Sequence, residues 1–418
     1  MSEQNGKAGN GPRRCILLIL DGLGDVPVPA LEGRTPLEAA HTPRLDRMAA
    51  TGLHGLVDPI GEGIVPNTHT GVGMLLGLLP EQAAELKRGP VEASGAGRVL
   101  EPGEIAFRAN FATLERSGDR LFVADRRAGR ITSGAKELAS VLTDLDLGDG
   151  ISASFLSTDQ HRGALVLSGS GLHAALSDTD PGDGHTPSWL KPCRPKDEAS
   201  VLAAEKVNRF IDLSHDLLRS HSVNRAREWE GKLPASGVIT RGAGAWFSLD
   251  NLLASNGVRP VMVAGCNTVA GLARIFGMDT VRKAAFTADT HTDVRGKLEA
   301  AVDALEEHSM VFVHIKAPDL FSHDFQPVGK KDFIERVDAA LETLDGVDAV
   351  FAVAADHTTS SISGAHSAEP IPALIYDPLA ATGTGTAGIN FSERACRTGS
   401  MPRQNGQEFL KRLVSSLV

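Results

Sequence analysis

Three short runs of nearly continuous apolar residues stand out along the chain: Arg14–Leu20 (RCILLIL), Met310–Ile315 (MVFVHI) and Ala349–Ala355 (AVFAVAA). Unbroken hydrophobicity, rather than alternation, marks strands covered on both faces. Around the later runs, Thr292–Glu307 and Lys331–Leu344 repeat their apolar residues at helical spacing. This succession predicts an α/β fold whose mostly parallel sheet is flanked by helices. Each run ends in charged or imidazole side chains: Asp21-Gly22, then Lys316 and Asp319, then Asp356-His357. Open α/β sheets gather ligands at the carboxyl ends of their strands, so three strand ends are expected to converge on one site.

At 418 residues the chain outgrows a single core. From about Glu81 to Pro234 the strand-like pieces become shorter and more polar, and arginines gather: Arg108, Arg126, Arg127, Arg130, Arg162, Arg225 and Arg227. That change predicts a smaller α/β domain, spanning 83–233, inserted into a core made of 13–82 and 234–418. Residues 1–12 read as a polar tail without the apolar segment of a signal peptide. Gly383–Gly388 (GTGTAG) is expected to be a loop.

The formal charge of −10, from 42 Lys+Arg against 52 Asp+Glu, argues against nucleic acid or an anionic membrane as partner. No apolar stretch approaches the length of a membrane span. Cys15, Cys193, Cys266 and Cys396 lack C-x-x-C spacing, so neither a disulfide framework nor a thiolate metal site is expected. A cytoplasmic location fits these features, and a homo-oligomer stays open.

Three groups of residues could carry chemistry. Asp319, His323, Asp356, His357 and His366, with Asp21 far upstream, offer the oxygen and imidazole donors that hold divalent ions; the competing reading has Asp356-His357 capping a helix. Val65–Gly71 (VPNTHTG), followed by apolar Val72–Leu79, reads as a turn opening a helix. Helix N-termini favour phosphoryl groups, and the Thr68 hydroxyl there could become a nucleophile beside a divalent ion. A plain N-cap threonine is the alternative. Finally, Arg126-Arg127-Ala128-Gly129-Arg130, His161-Arg162 and Arg225-Ala226-Arg227 are compact sets whose guanidinium forks suit phosphate and carboxylate, although surface arginines also serve solvation alone.

Taken in order, these fragments resemble the archaeal-type cofactor-independent phosphoglycerate mutases of the alkaline phosphatase superfamily. The likeness is carried by Asp21-Gly22-Leu23-Gly24-Asp25, Thr35–Ala40 (TPLEAA), Arg108–Thr113 (RANFAT), Asp125–Arg130 (DRRAGR), Asp178–Pro181 (DTDP), Arg241–Gly244 (RGAG), His314–Asp319 (HIKAPD), Asp356–Thr359 (DHTT) and His366–Pro370 (HSAEP). The resemblance implies an alkaline-phosphatase-like core with two divalent ions, Mn2+ foremost, with Zn2+, Co2+, Mg2+ or Fe2+ as substitutes, and no need for 2,3-bisphosphoglycerate. One ion would take Asp319, His323 and His366; the other Asp21, Asp356, His357 and the Thr68 oxygen. Thr68, Lys316 and Arg241 would be catalytic. The insert would bind a small phosphorylated carboxylate through Arg108, Asn110, Arg127, Arg130, His161, Arg162, Asp180 and Arg225. The implied activity is interconversion of 3- and 2-phosphoglycerate, or a close analogue, through a phosphothreonine.

The nucleophile loop departs from the family pattern of serine, an acidic residue, and a histidine four places after the serine. Here those positions hold Thr68, His69 and Val72. That departure supports two other readings: a phosphatase or phosphoryl- or phosphonyl-group transferase for another substrate, or a ligand-binding protein without turnover.

Overall fold

The computed structural model describes residues 13–182, 186–246, 249, 252–380 and 388–417. The expected 1–12 tail lies outside them, as does nearly all of the expected loop at Gly383–Gly388. Two compact units emerge: one of 1–83, 250–266 and 276–418, the other of 84–249 and 267–275.

The first unit is built on an eight-stranded sheet in the order Asp279–Val281, Pro260–Val263, Met310–Ile315, Cys15–Leu20, Val350–Ala354, Ile371–Tyr376, Leu53–Asp58, Gln404–Asn405. Ile371–Tyr376 alone runs against the others. Helices that include Val294–Ala304, Pro43–Thr51 and Gly406–Ser415 pack on its strands, so the expected α/β class is the observed one. The three apolar runs become its three central strands. Cys15–Leu20 is wholly buried and lies between the other two. Its register pairs Leu20 with Ile315 on one side and Ile19 with Ala354 on the other. The residues that follow, Asp21, Lys316 and Asp356, therefore leave the sheet at one edge.

The second unit carries an antiparallel sheet in the order Leu145–Asp146, Ser152–Ser157, Arg162–Ser168, Ile105–Ser117, Arg120–Asp125, Ser188–Trp189. Gly237–Ala245 also pairs antiparallel with Ile105–Ser117. That pairing is why this unit runs to 249 instead of stopping at 233, and the helix Asn267–Ile275 belongs to it as well. Its own core gathers Phe107, Phe111, Phe155 and Phe210 among aliphatic side chains. All four cysteines are free thiols.

Beneath the sheet edge of the first unit lies a buried polar frame. Lys330, fully buried, donates to Asp25 Oδ2 at 2.9 Å and to the carbonyls of Gly24 (3.1 Å) and Thr359 (3.2 Å). Asp25 N donates to Glu393 Oε1 at 3.2 Å, and the Thr35 hydroxyl donates to Glu393 Oε2 at 2.7 Å. Burial pushes the Glu393 carboxyl up to about 7. The folded chain thus keeps a proton that the unfolded chain releases near 4.5, so stability falls as pH rises between those values. Urea unfolding at pH 5.0 and 7.5 should show Glu393→Gln gaining up to about 3 kcal/mol on the wild type over that interval. Parallel pH profiles would contradict the assignment.

Candidate functional site

At the carboxyl edge of the central strands the chain turns sharply after Asp21. Gly22 adopts φ +65°, and a Cβ there would lie 2.6 Å from Thr359 Oγ1 and 2.9 Å from Asp319 Cβ. Only glycine accepts both the conformation and the crowding. Its N–H donates to Asp356 Oδ1 at 3.2 Å, tying two strand ends together. Asp356-His357 does not cap a helix; it leads into the short strand Thr358–Thr359, which pairs with His366–Ser367. The expected helix after the VPNTHTG turn is Thr68–Leu75, with Asn67 at its N-cap and Thr68 at its first helical position. Gly71 lets this helix approach: a Cβ at that residue would stand 1.9 Å from Asp356 O.

These turns bring every expected metal ligand of the first unit together. Ligand atoms of Asp319, His323 and His366 lie within 4.8 Å of one another, as do those of Asp21, Asp319 and His357. His357 Nε2 is 3.3 Å from Asp21 Oδ1 and 3.2 Å from Asp356 Oδ2. Each imidazole is held through its other nitrogen: His323 Nδ1 by Gly364 O (2.7 Å), His366 Nδ1 by Pro66 O (3.0 Å) and His357 Nδ1 by Thr359 Oγ1 (2.9 Å). The His357 and His366 rings stack at 3.6 Å. Such outer contacts fix ring orientation and leave Nε2 free to ligate. Thr359 Oγ1 also donates to Asp319 Oδ1 at 2.8 Å. Asp356 Oδ2 is buried and accepts no hydrogen bond among the described residues. A buried carboxylate oxygen without a donor, among converging imidazoles, fits a divalent cation.

The Thr68 hydroxyl sits at the same place, accepting from Lys316 Nζ at 3.2 Å and lying 3.4 Å from His357 Nε2. Lys316 also meets Asp21 Oδ1 at 2.9 Å and Asp319 Oδ2 at 2.6 Å. The Thr70 hydroxyl is engaged within its own turn, accepting from Asn67 N at 2.9 Å and donating to Asn67 O at 3.0 Å. His69 and Val72 are both buried.

The electrostatics follow from crowding charge away from water. Burial works to raise Asp21, but Lys316, with a hydrogen bond from His314, outweighs it and holds the carboxyl below its usual range. Asp356 goes the other way, raised by burial and by the neighbouring Asp21 charge. Burial opposes the Lys316 charge, yet Asp21 and Asp319 keep its ammonium above the ordinary lysine value. Burial brings His357 down to about 4, so its imidazole is neutral, as ligation requires.

Several contributors were not foreseen. His314, on an otherwise apolar strand, places Nε2 3.0 Å from Asp21 Oδ2 and forms a further potential ligand group with Asp21 and Asp356. A single imidazole inside a buried run was the signal available. Thr359, Asp25 and Lys330 support the site from behind, and only the buried position of Lys330 on the helix Pro327–Ala340 could have marked it.

In the second unit, strand register assembles the expected arginines. Arg108 pairs with Arg241 and Asn110 with Arg162, which puts all four on one face of the antiparallel sheet. Arg108 is lowered to about 9 by burial, then by Arg88, with Arg241 and Arg162 adding to it. His161 is brought to about 4 by burial and then by Arg162, Arg127, Arg108 and Arg130, so it too is neutral. Arg108 Nε, Asn110 Oδ1 and His161 Nδ1 are buried without hydrogen-bond partners among the described residues. Arg241, expected to be catalytic, lies within this cationic group, 3.7 Å from Asp180. Asp180 itself is occupied by a bidentate pair with Arg126 at 2.5 and 2.7 Å. Among the described residues no interaction joins Arg225 to the group; its Nη1 donates to Ser220 O. Its neighbour Arg227 instead holds the Arg127–Arg130 turn, donating to Ala128 O at 3.0 Å.

Comparison with known proteins gives the family of the chain. A model described as the Metalloenzyme superfamily matches residues 13–411. The 2,3-bisphosphoglycerate-independent phosphoglycerate mutase of Methanopyrus kandleri is 39% identical over 374 residues, covering 87% of each chain. That of Ignicoccus hospitalis is 38% identical over 409 residues, covering 96% of this chain and 97% of the other. Among solved structures, a Pyrococcus horikoshii protein aligns with a TM-score of 0.80 at 29% identity, over 97% of both chains. The cofactor-independent phosphoglycerate mutase of Thermoplasma acidophilum aligns at 0.69 and 32% identity, over 97% of this chain and 100% of its own. By length of match and level of identity, the chain belongs to the Metalloenzyme superfamily and, within it, to the 2,3-bisphosphoglycerate-independent phosphoglycerate mutase family.

Proposed function

We propose that the chain interconverts 3-phosphoglycerate and 2-phosphoglycerate, with Thr68 as the residue that carries the phosphoryl group between the two hydroxyls. The observation that carries the reading is the position of Thr68 Oγ1: at the first turn of a helix, 3.2 Å from Lys316 Nζ and 3.4 Å from His357 Nε2, among converging carboxylates and imidazoles. The activity named for the relatives agrees with it.

In this reading Thr68 Oγ1 forms a bond to phosphorus as the bond to the glycerate oxygen breaks; that oxygen takes up a proton, and the neighbouring hydroxyl then recovers the phosphoryl group from Thr68 while losing its own. Divalent ions held by Asp319, His323 and His366 and by Asp21, Asp356 and His357 would supply positive charge toward the phosphoryl oxygens and ease loss of the Thr68 proton. Lys316 adds a fixed ammonium within hydrogen-bonding reach of the attacking oxygen. The free N–H groups of the helix first turn are oriented toward negative charge. The arginines of the second unit would take up the remaining anionic part of the substrate.

A second reading is favoured by one feature, the His69 and Val72 positions, which replace an acidic residue and an imidazole of the family pattern. It keeps the same attack by Thr68 but passes the phosphoryl, or a phosphonyl, group to water or to another acceptor.

Phosphorus NMR of metal-loaded protein with 3-phosphoglycerate should show 2-phosphoglycerate growing without free phosphate. Free phosphate alone would favour the second reading, and no change under any divalent ion would sink both. Thr68→Ala should lower turnover by at least about 10³-fold, whereas Thr68→Ser should retain activity. For the metals, elemental analysis of chelator-free protein should give about two divalent ions per chain, manganese foremost, with a clear loss in Asp356→Ala. Gly71→Ala changes no ligand residue, but its new methyl would stand 1.9 Å from Asp356 O, so the helix start or that strand end must shift. Turnover should drop about 100-fold or more while the insert's anion affinity stays unchanged; wild-type turnover in that variant would show the helix position to be unimportant.

A further inference from the structure

Arg88 and Glu92 lay outside the expected substrate-binding set, yet both are built into the arginine group of the second unit. They share the helix Arg88–Gly95. It presses on the Ile105–Ser117 strand so closely that a Cβ on Gly89 would stand 2.0 Å from Ala106 O. Arg88, in the first turn, is thereby set near Arg108 of that strand. Its Nε donates to Glu92 Oε1 at 3.0 Å, Arg108 Nε stands 3.9 Å from the same oxygen, and the Thr268 hydroxyl donates to it at 3.3 Å. One buried carboxylate oxygen therefore gathers the Nε edges of two guanidinium groups.

Three features distinguish this from an ordinary surface ion pair. The Glu92 side chain is only 9% exposed, against 40% for Arg88 and 13% for Arg108, so the acid lies beneath its partners. Neither arginine has a hydrogen-bonded protein partner for its Nη atoms among the described residues. The charge balance is also uneven: Arg88, Arg162 and Arg241 all act on Arg108, Glu92 is the acid that faces Arg88 and Arg108, and Asp180 lies 3.7 Å from Arg241. A guanidinium anchored through Nε, as that of Arg88 is, keeps both Nη groups free to meet a carboxylate bidentately, and Arg108 Nε faces the same acid at 3.9 Å without a hydrogen bond to it.

We propose that Arg88 and Arg108 form one fork that grips the carboxylate of the substrate through their Nη atoms, with Glu92 as its positioning residue. The identity of that substrate rests on the phosphoglycerate reading; the fork rests on the geometry of the helix and strand.

The test compares two ligands that differ in the carboxylate: 3-phosphoglycerate, and glycerol 3-phosphate, which lacks it. Calorimetric titration of the metal-loaded full chain carrying Thr68→Ala measures binding without turnover. Adding Arg88→Ala should weaken 3-phosphoglycerate roughly 10- to 100-fold and leave glycerol 3-phosphate within about twofold. Arg88→Lys, which keeps the charge but not the fork, should recover little of the loss. Glu92→Gln should weaken 3-phosphoglycerate about fivefold or more with the same selectivity, and with Thr68 intact should raise KM while kcat stays within about threefold. Equal losses for both ligands, no loss for either, or no binding of 3-phosphoglycerate at all would overturn the fork. Binding with the expected selectivity but no isomerisation by the wild type would leave the fork standing and remove the mutase reading; isomerisation with unchanged selectivity in Arg88→Ala would do the reverse.

Discussion

The first unit is organised around one electrostatic constraint: Asp21, Asp319 and Asp356 are each at most 1% exposed and meet in one place. Asp21 has a carboxylate oxygen within 4.8 Å of one on Asp319 and of one on Asp356, and at about 4 Å with an effective dielectric near 20 two like charges repel by about 4 kcal/mol. Lys316 offsets part of this, but one ammonium cannot neutralise three carboxylates, and the raised proton affinity of Asp356 registers the remainder. Such a cluster is stabilised by further positive charge, which is the physical meaning of a cation site. The surrounding features bear on the same demand. Gly22 lets the first strand end turn beside Asp319, Gly71 brings a helix N-terminus against Asp356, and three imidazoles are oriented by contacts to Gly364, Pro66 and Thr359.

The central strands were legible in the chain because they are covered on both faces, and unbroken burial leaves unbroken hydrophobicity. Cys15–Leu20, Met310–Ile315 and Val350–Ala354 match their apolar runs to within a residue or so. Shorter edge strands such as Asp279–Val281 and Gln404–Asn405 carry too few residues to impose a pattern. The insert was harder to delimit for a different reason. Gly237–Ala245 (GVITRGAGA) owes its strand state to pairing with Ile105–Ser117 more than a hundred positions earlier, and its small residues give no periodic signal. Nothing local in Asn267–Ile275 reveals that it packs with the helix Arg88–Gly95 and so belongs to the second unit.

The candidate ligands were legible for a related reason: they stand just after buried strands, where a polar side chain has few structural duties. Supporting residues were not, since their roles depend on partners distant in sequence. Lys330 reaches Gly24 and Thr359, and nothing near Lys330 announces either. Arg225 and Arg227 show the limit most plainly. Two residues apart on one short helix, they look alike in sequence, but helical geometry turns one to Ser220 and the other toward the Arg127–Arg130 turn.

That turn and the loop around Thr68 are stiffened in different ways. Ala128, Gly129 and Arg130 all have positive φ, a conformation two of them adopt at a cost, and it persists because Asp125 and Arg227 tie the backbone down. Thr68 brings stiffness of another kind. Its β-branch restricts χ1, so its methyl limits how far Oγ1 can swing from Lys316 and His357. Val72, fully buried, fills with packing a position where the family pattern carries an imidazole. The loop therefore trades a hydrogen-bonding neighbour for a more rigid helix start, while the carboxylates and imidazoles around it keep their arrangement. A change of this type bears little on whether a cation could be held, because the carboxylates that would attract one come from strand ends the loop does not build.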